Sequence, residues 1–415
     1  MSSAPTRSSL DFLVAAARSR PADDPIFALN AEAQRRAKAG ELVVNATLGA
    51  LMEDDGRLAV MPSVSEAMRA VDARRAAAYA PIAGETNFLA SVIADLFGAS
   101  ELARAATAVA TPGGTGALHH AIVNVLEPGQ ALLTTEYYWG PYHTLAEHTR
   151  RRVETFRMFG PDGRFDAQDF ERALSAQIAA QGRALVMLNS PCHNPTGYSL
   201  DDAEWTEVVR IVRAAAERAP VALLVDHAYA KFGGPGAERW VEHVAKLAGE
   251  ALLLVAWTAS KTFAQYGARI GALVAVHPDV ETRRRIGNAL SYSCRGTWSN
   301  CNHAGMLAIG SILADSALRQ RADAERAQLV ALLSERVRAF NTAASAAGLR
   351  YPRYEGGFFV SVFAQDPERA AARMRELGVF VVPIQGAVRV ALCSTPARDI
   401  ARLVDALSEG VKVAR

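Results

Sequence analysis

The chain predicts an α/β fold with a mostly parallel sheet, followed by a smaller α+β region, and three features of its sequence carry that prediction. Short apolar runs recur at 131–133, 184–188, 221–225, 251–257 and 271–276. Segments of helical periodicity separate them, such as 204–216, apolar on one face and charged on the other. Strands alternating with helices build a parallel sheet covered on both faces, and such strands read as continuous apolar runs. The third feature is a change of pattern near residue 314, where a charged, alanine-rich helical stretch runs to 347 and leads to strand candidates at 357–362 and 379–382. That part predicts the smaller domain. The first 20 or so residues read as a flexible arm or extended lead-in.

Composition narrows the function. The chain has 415 residues, half of them hydrophobic, with 45 basic and 43 acidic side chains and a formal charge of +2. A single compact core rarely grows to this length, so two domains are expected. Like charges form only short runs such as Arg150-Arg-Arg152, so no basic face for nucleic acid is expected. No stretch approaches 18 uninterrupted apolar residues and the first residues lack an apolar signal core, so neither a membrane nor export is expected and the cytoplasm is the predicted location. The four cysteines have no metal-ligand spacing; Cys294 and Cys301 read as two buried thiols, and no metal or disulfide is predicted.

Ligands of open α/β sheets bind at the carboxyl ends of the strands, so the residues that follow each apolar run carry the chemistry. After 105–109 comes Ala110-Thr-Pro-Gly-Gly-Thr-Gly-Ala-Leu-His-His-Ala121, a glycine-rich turn opening into an apolar helix. Glycines admit an anion close to the backbone, and the helix start offers free N–H groups, so Gly114 and Thr115 sit in a candidate phosphate cup. It is not a Walker loop, because no Gly-Lys-Ser/Thr follows. The next strand end carries Tyr137-Tyr-Trp-Gly-Pro-Tyr142, where the Trp139 ring can stack on a flat ligand. Asn194 precedes a proline, which holds it extended and lets its amide point inward. Asp226 and Tyr229, three residues apart, put a carboxylate and a phenol one helical turn from each other.

The last of these strand ends is Thr258-Ala-Ser-Lys-Thr-Phe-Ala-Gln-Tyr-Gly-Ala-Arg269. Burial and a nearby cation bring a lysine's neutral, nucleophilic form within reach of neutral pH, so Lys261 reads as a Schiff-base amine. Arg269, with the Thr258 and Ser260 hydroxyls, suits a phosphate on the same aldehyde. An aspartate at the end of an apolar strand is costly unless something positive meets it, and a pyridinium nitrogen does so. Lysine plus an acidic partner for a pyridine nitrogen is the signature of pyridoxal 5′-phosphate. Each piece alone has a plainer reading, as a solvated lysine, a structural turn or a core tryptophan. Five in this order at consecutive strand ends point to one cofactor.

These residues, with Asp24-Pro-Ile-Phe, Asn45-Ala-Thr-Leu-Gly49, Tyr79-Ala-Pro-Ile-Ala-Gly84, Cys192-His-Asn-Pro-Thr-Gly197, Arg295-Gly-Thr-Trp-Ser-Asn300, Gly357-Phe-Phe359 and Arg389-Val-Ala391, give the chain a likeness that runs nearly end to end. It resembles the class I aminotransferases among fold type I pyridoxal phosphate enzymes, in the aspartate and aromatic amino acid subgroup. The resemblance implies a seven-stranded large domain at 58–328, a small domain from 21–57 and 329–415, and an arm at 1–20. It also implies that Lys261 binds the aldehyde and shuttles a proton, that Asp226 holds the ring nitrogen, and that Tyr229 and Asn194 bond the ring oxygen. Trp139 would stack on the ring. Gly114, Thr115, Thr258 and Arg269 would hold the phosphate, with Tyr79 reaching it from the partner of a homodimer with shared active sites.

For the substrates, an amino acid and a 2-oxo acid, the resemblance implies that Arg389 clamps the α-carboxylate, with Asn194, Trp139 and Gly49 around it, and that the partner's copy of Arg295 pairs with a distal carboxylate. Relatives that accept aromatic amino acids keep that arginine and move it aside, and the entrance Leu48-Gly-Ala-Leu-Met52 is apolar, so aspartate-type and aromatic substrates both stay open. Tyr142 stands where many relatives have a histidine that supports the aspartate; His143 or the phenol itself would take its place. A lyase or decarboxylase on the same fold competes, and both arginines weigh against it. A transcriptional regulator would need a DNA-binding module, for which the 50 or so residues before Gly49 are too few.

Overall fold

The structure, a computed structural model, describes residues 12–18, 20 and 25–414, so most of the expected arm and Asp24 lie outside the described residues. Among these residues there are strands β1 (Val44–Asn45), β2 (Ala106–Pro112), β3 (Ala131–Thr135), β4 (Arg152–Phe156), β5 (Ala184–Asn189) and β6 (Val221–Asp226). β7 (Leu252–Thr258), β8 (Ile270–Val276), β9 (Phe359–Phe363), β10 (Val379–Phe380), β11 (Val382–Ile384) and β12 (Ala387–Ala391) follow.

Seven of them form one sheet in the order β2-β8-β7-β6-β5-β3-β4. Neighbours pair parallel except at β8, which runs antiparallel to both β2 and β7. The reason is local: the link from Thr258 to Ile270 is shorter than the dozen or so residues that a parallel crossover takes. Every residue of β5, β6 and β8 is buried, as their unbroken apolar runs predict. Along β5 the side chains alternate between two cores, Leu185 and Met187 facing one layer of helices and Ala184, Val186 and Leu188 the other.

β4 escapes the sequence reading because it is an edge strand whose exposed residues include Arg152, with no apolar run to mark it. The stretch expected as one strand at 379–382 divides instead. β10 pairs with β1, and β11 joins β12 and β9 in an antiparallel sheet. Through β1 the chain at 44–45 is tied to the C-terminal third.

The long helix expected at 314–347 begins at Ser316, where Asp315 caps it by accepting from the Leu318 N–H, and it runs to Ala346. Near its start Arg319 reaches buried Asp95 at 2.6 Å. Further along, Arg336 is wholly buried, and its guanidinium donates to the carbonyls of Met52 and Cys393 at 2.8 Å each and to Asp54 at 2.7 Å. One side chain thus clips together the chain near residue 52, the turn after β12 and the helix. No helix among the described residues is long and apolar enough to cross a membrane.

Arg336→Ala strands those two carbonyls, and the expected loss is about 2–4 kcal/mol of unfolding free energy in a urea titration. A loss below about 1 kcal/mol would show that the clip is dispensable.

Candidate active site

The carboxyl ends of β2, β3, β5, β6 and β7 meet at one edge of the sheet, and antiparallel β8 begins there. Behind that edge lies a cavity of about 130 Å³ lined by Gly114, Thr115, Trp139, Asn189, Asn194, Asp226, Tyr229, Thr258, Ser260, Lys261 and Arg269, with Leu118 and Ala228. A larger space of about 560 Å³ opens beside Tyr137, Phe159 and Arg350, but no lysine lines it. Volume does not mark the site; the chemistry of its walls does.

Lys261 sits on the short helix Ala259–Thr262, which Thr258 caps by accepting from the Ser260 N–H at 3.2 Å. Its Nζ stands 5.5 Å from the centre of the Tyr229 ring and 5.3 Å from that of Tyr266. Burial holds its pKa down at about 8; Cys393 and Asp226 pull it up and Arg269 pushes it further down. Asp226, the last residue of β6, is buried, and burial lifts its carboxyl to about 6 against the Tyr142 hydrogen bond and the Lys261 charge. The Tyr142 hydroxyl donates to Asp226 Oδ2 at 2.7 Å.

Asp226 and Tyr229 are not a helical turn apart as expected. The chain leaves β6 through a bend, and a 3₁₀ turn starts only at Ala230. Tyr229 still enters the cavity, where its hydroxyl accepts from Asn194 Nδ2 at 3.2 Å. Asn194 is joined to Pro195 by a cis peptide bond. Asn189, opposite Asp226 in the β5–β6 register, accepts the Asn194 N–H at 2.6 Å and donates to the Asp226 carbonyl at 2.8 Å. Asn189 on the wall and Tyr266, whose ring faces the Lys261 amine, are the polar residues of the site that sequence reasoning missed; the apolar wall residues Leu118 and Ala228 were not singled out either. Asn189 ends a strand as Asp226 does, which is the signal that would have found it.

At the wall where the helix Gly113–Val125 begins, Arg269 adopts a left-handed φ of 54° and donates to the carbonyls of Tyr266 (2.9 Å) and Pro112 (3.3 Å). Gly113, with φ of 70°, lies so close beneath it that a Cβ there would come within 2.5 Å of Arg269 Nη2. The guanidinium therefore rests over the N-terminus of the helix Gly113–Val125, whose first-turn residues Gly114 and Thr115 line the cavity.

Arg389 on β12 is buried, donates to the Thr47 carbonyl at 2.7 Å and lies 4.5 Å from the centre of the Phe359 ring. Gly49 approaches the same ring so closely that a Cβ would meet its Cζ at 2.5 Å. Four predicted residues are not among those that line the cavity: Arg389 and Gly49, which pack on Phe359, and two exposed ones, Tyr79 and Arg295. Tyr79 is 92% exposed, and Arg295 is exposed with its Nη1 on the Ser299 hydroxyl at 2.6 Å. Of the two candidates to support the aspartate, Tyr142 makes the contact and His143 faces Glu147 on the surface at 3.5 Å. Cys294 is buried as expected, whereas Cys301 is only half-buried.

The sequence pattern of the family described as aminotransferase class I and II matches residues 43–407. The chain belongs to that family. It is 28% identical to a tyrosine aminotransferase of Klebsiella pneumoniae, over 89% of this chain and 94% of that protein. It is 29% identical to an aspartate aminotransferase of Pseudomonas aeruginosa, over 71% and 74% of the two chains. An aminotransferase of Anaerococcus prevotii has the same fold, with a TM-score of 0.93 at 31% identity over 97% of this chain and 100% of that one.

As a class I aminotransferase the protein is a pyridoxal phosphate enzyme that exchanges amino groups between amino acids and oxo acids. The cavity fits the cofactor on its own evidence. Asn194 Oδ1 is buried at its wall with no hydrogen-bond partner among the described residues. The Gly113 cradle leaves Arg269 and the helix start facing one anion, and the amine and the carboxylate share the remaining wall.

A lysine held at about 8 is half neutral there, and its reactive fraction rises with pH. In cofactor-free protein, capture of added pyridoxal phosphate at Lys261, trapped with borohydride and read by peptide mass, should rise to a plateau with its midpoint near pH 8. A midpoint near that of a free lysine, about 10.4, would mean that the cavity does not depress the amine.

Proposed function

We propose that this cavity runs ping-pong transamination in which an L-amino acid gives up its amino group, leaves as the 2-oxo acid, and 2-oxoglutarate takes the group away. The observation that carries the proposal is the convergence of Lys261, Asp226 and the Arg269 phosphate cup on one cavity. When bound, pyridoxal phosphate supplies an aldehyde that accepts the amino group and a ring that draws electrons from the substrate's Cα–H bond.

The chain's own residues do the rest. Lys261 holds the aldehyde and, once released by substrate, moves a proton from and to Cα. Asp226 offers its buried charge to the ring nitrogen, which keeps that nitrogen protonated. Asn194 and the Tyr229 hydroxyl orient the ring oxygen, and Trp139 covers one face of the ring. Gly114, Thr115, Thr258 and Arg269 hold the phosphate. Arg389 receives the α-carboxylate as a planar two-pronged donor, and the segment at Leu48-Gly49, packed on Phe359, closes over it and excludes water.

Tyr79 and Arg295 are exposed in one protomer, which supports a homodimer in which each reaches the partner's cavity: Tyr79 to the phosphate, Arg295 to a distal carboxylate. Arg295 and the apolar entrance at 48–52 support two substrate classes. A dicarboxylate such as glutamate pairs with the guanidinium, and an aromatic side chain enters with the arginine turned aside along the apolar entrance at 48–52. A large domain at 58–328 and a small one from 21–57 and 329–415 accord with the three sheets, and the free cysteines suit the cytoplasm.

Lys261→Ala should abolish both turnover and the visible absorbance of the bound cofactor, and full activity would reject the assignment. Arg295→Ala should lower kcat/KM for glutamate by at least about 30-fold and for phenylalanine by less than about threefold, as expected for the loss of one charge-assisted pair. Equal losses for the two substrates would remove Arg295 from the side-chain pocket.

A further inference from the structure

Building on the placement of Asp226 at the ring nitrogen, we propose that Tyr142 is a positioning residue that fixes the Asp226 carboxylate with its hydroxyl and the Trp139 indole with its ring. Tyr142 stands in the first turn of the helix Pro141–His148, with its side chain buried in the same apolar core as Leu118, Leu185 and Ala222. Its hydroxyl bonds Asp226 Oδ2 at 2.7 Å and has no other hydrogen-bond partner among the described residues. Its backbone N–H is bonded to the Trp139 carbonyl at 2.9 Å. The Trp139 ring stands perpendicular to the Tyr142 ring, 88° at 6.0 Å, and Tyr138 stacks on it at 6.2 Å. One side chain therefore touches both groups that are to meet the cofactor ring, one at its nitrogen and the other at its face.

The chemistry of the phenol matters. A carboxylate only accepts, so the hydroxyl must donate, and the direction of the bond is fixed. Burial, with the Asp226 charge, keeps the phenol protonated far above neutral pH, so it donates without carrying a charge. The other charged or titratable groups facing Asp226 are Lys261 and Tyr229. An uncharged donor holds the carboxylate ionised in an apolar layer and leaves its whole negative charge for the ring nitrogen. A protonated imidazole in the same place would cancel part of that charge.

The test compares the equilibrium binding of pyridoxal phosphate with that of its analogue carrying carbon in place of the ring nitrogen, by quenching of intrinsic tryptophan fluorescence in cofactor-free protein. Wild type should prefer the nitrogen-bearing ligand by about tenfold or more, and Tyr142→Phe should cut that preference to about threefold or less without changing affinity for the analogue. Equal losses for both ligands would make Tyr142 a packing residue and overturn the inference. A wild type without any preference would instead reject the Asp226 assignment on which it rests. In an Asp226→Asn background Tyr142→Phe should change the preference no further, and an additive effect would again overturn it. For the ring contact, the near-UV circular dichroism that Trp139→Phe removes should survive Tyr142→Phe and be lost in Tyr142→Leu; survival in both would refute that half.

Discussion

A carboxylate at the end of a strand buried on both faces is the constraint from which the rest of the site follows. Asp226 cannot be solvated where it stands, and Lys261 across the cavity is only partly exposed. Raising the carboxyl from 3.8 to about 6 means that the folded chain binds more protons than the unfolded one across that interval, so this group's contribution to stability falls as pH rises through it. Lowering the amine from 10.5 to about 8 has the opposite sign: the folded chain binds fewer protons, and the contribution grows with pH between those values. Between about 6 and 8 both groups are charged and both are poorly solvated. A ligand that brings a positive nitrogen to one and bonds covalently to the other relieves both costs, which is a thermodynamic reason for cofactor binding to stabilise the fold.

The sheet delivers these groups because of one short connection. Had β8 run parallel to β7, a helical crossover would have carried Arg269 to the far edge. The link instead folds back at once, so that Lys261 leaves one strand and Arg269 enters the next on the same edge. The left-handed backbone at Arg269 and the glycine at 113 are the local accommodations that let guanidinium and helix start lie together at one wall of the cavity. On the other side of the cavity, β12 and the loop at 47–49 bring Arg389 up to it, and Arg336 ties that loop's continuation to the long helix.

Much of this was legible in the sequence because the signals were local. Continuous apolar runs gave β5 to β8, and the residues just past them were those that line the cavity. What local reading could not supply is whatever depends on pairing across the sheet. Asn189 is an ordinary asparagine until the β5–β6 register sets it against Asp226. The spacing from Asp226 to Tyr229 looked helical because three residues is one turn, but a buried strand end followed by a bend gives the same spacing without the helix. Edge strand β4 lacks an apolar run because only one of its five residues is buried. Tyr142 could be named as a candidate from the motif, but only the fold decides between it and His143. In the helix Pro141–His148 adjacent residues point about 100° apart, so when one faces the sheet the other faces solvent.

The two arginines proposed to meet substrate are held in opposite ways, and the contrast bears on specificity. Arg389 is buried, stacked on Phe359 and anchored to the Thr47 carbonyl, so little side-chain freedom is left to lose when a carboxylate arrives. Such a group suits the α-carboxylate, which every amino acid substrate carries. Arg295 is exposed, and its guanidinium donates to the Ser299 hydroxyl four residues on, a contact that water replaces at little cost. An exposed guanidinium gains a charge-assisted pair with a dicarboxylate, and it gives way to an aromatic ring without leaving a buried charge behind. Rigid recognition of the shared group and loose recognition of the variable one would let a single cavity serve both halves of an exchange whose two amino acid and oxo acid pairs share the α-carboxylate and differ in their side chains.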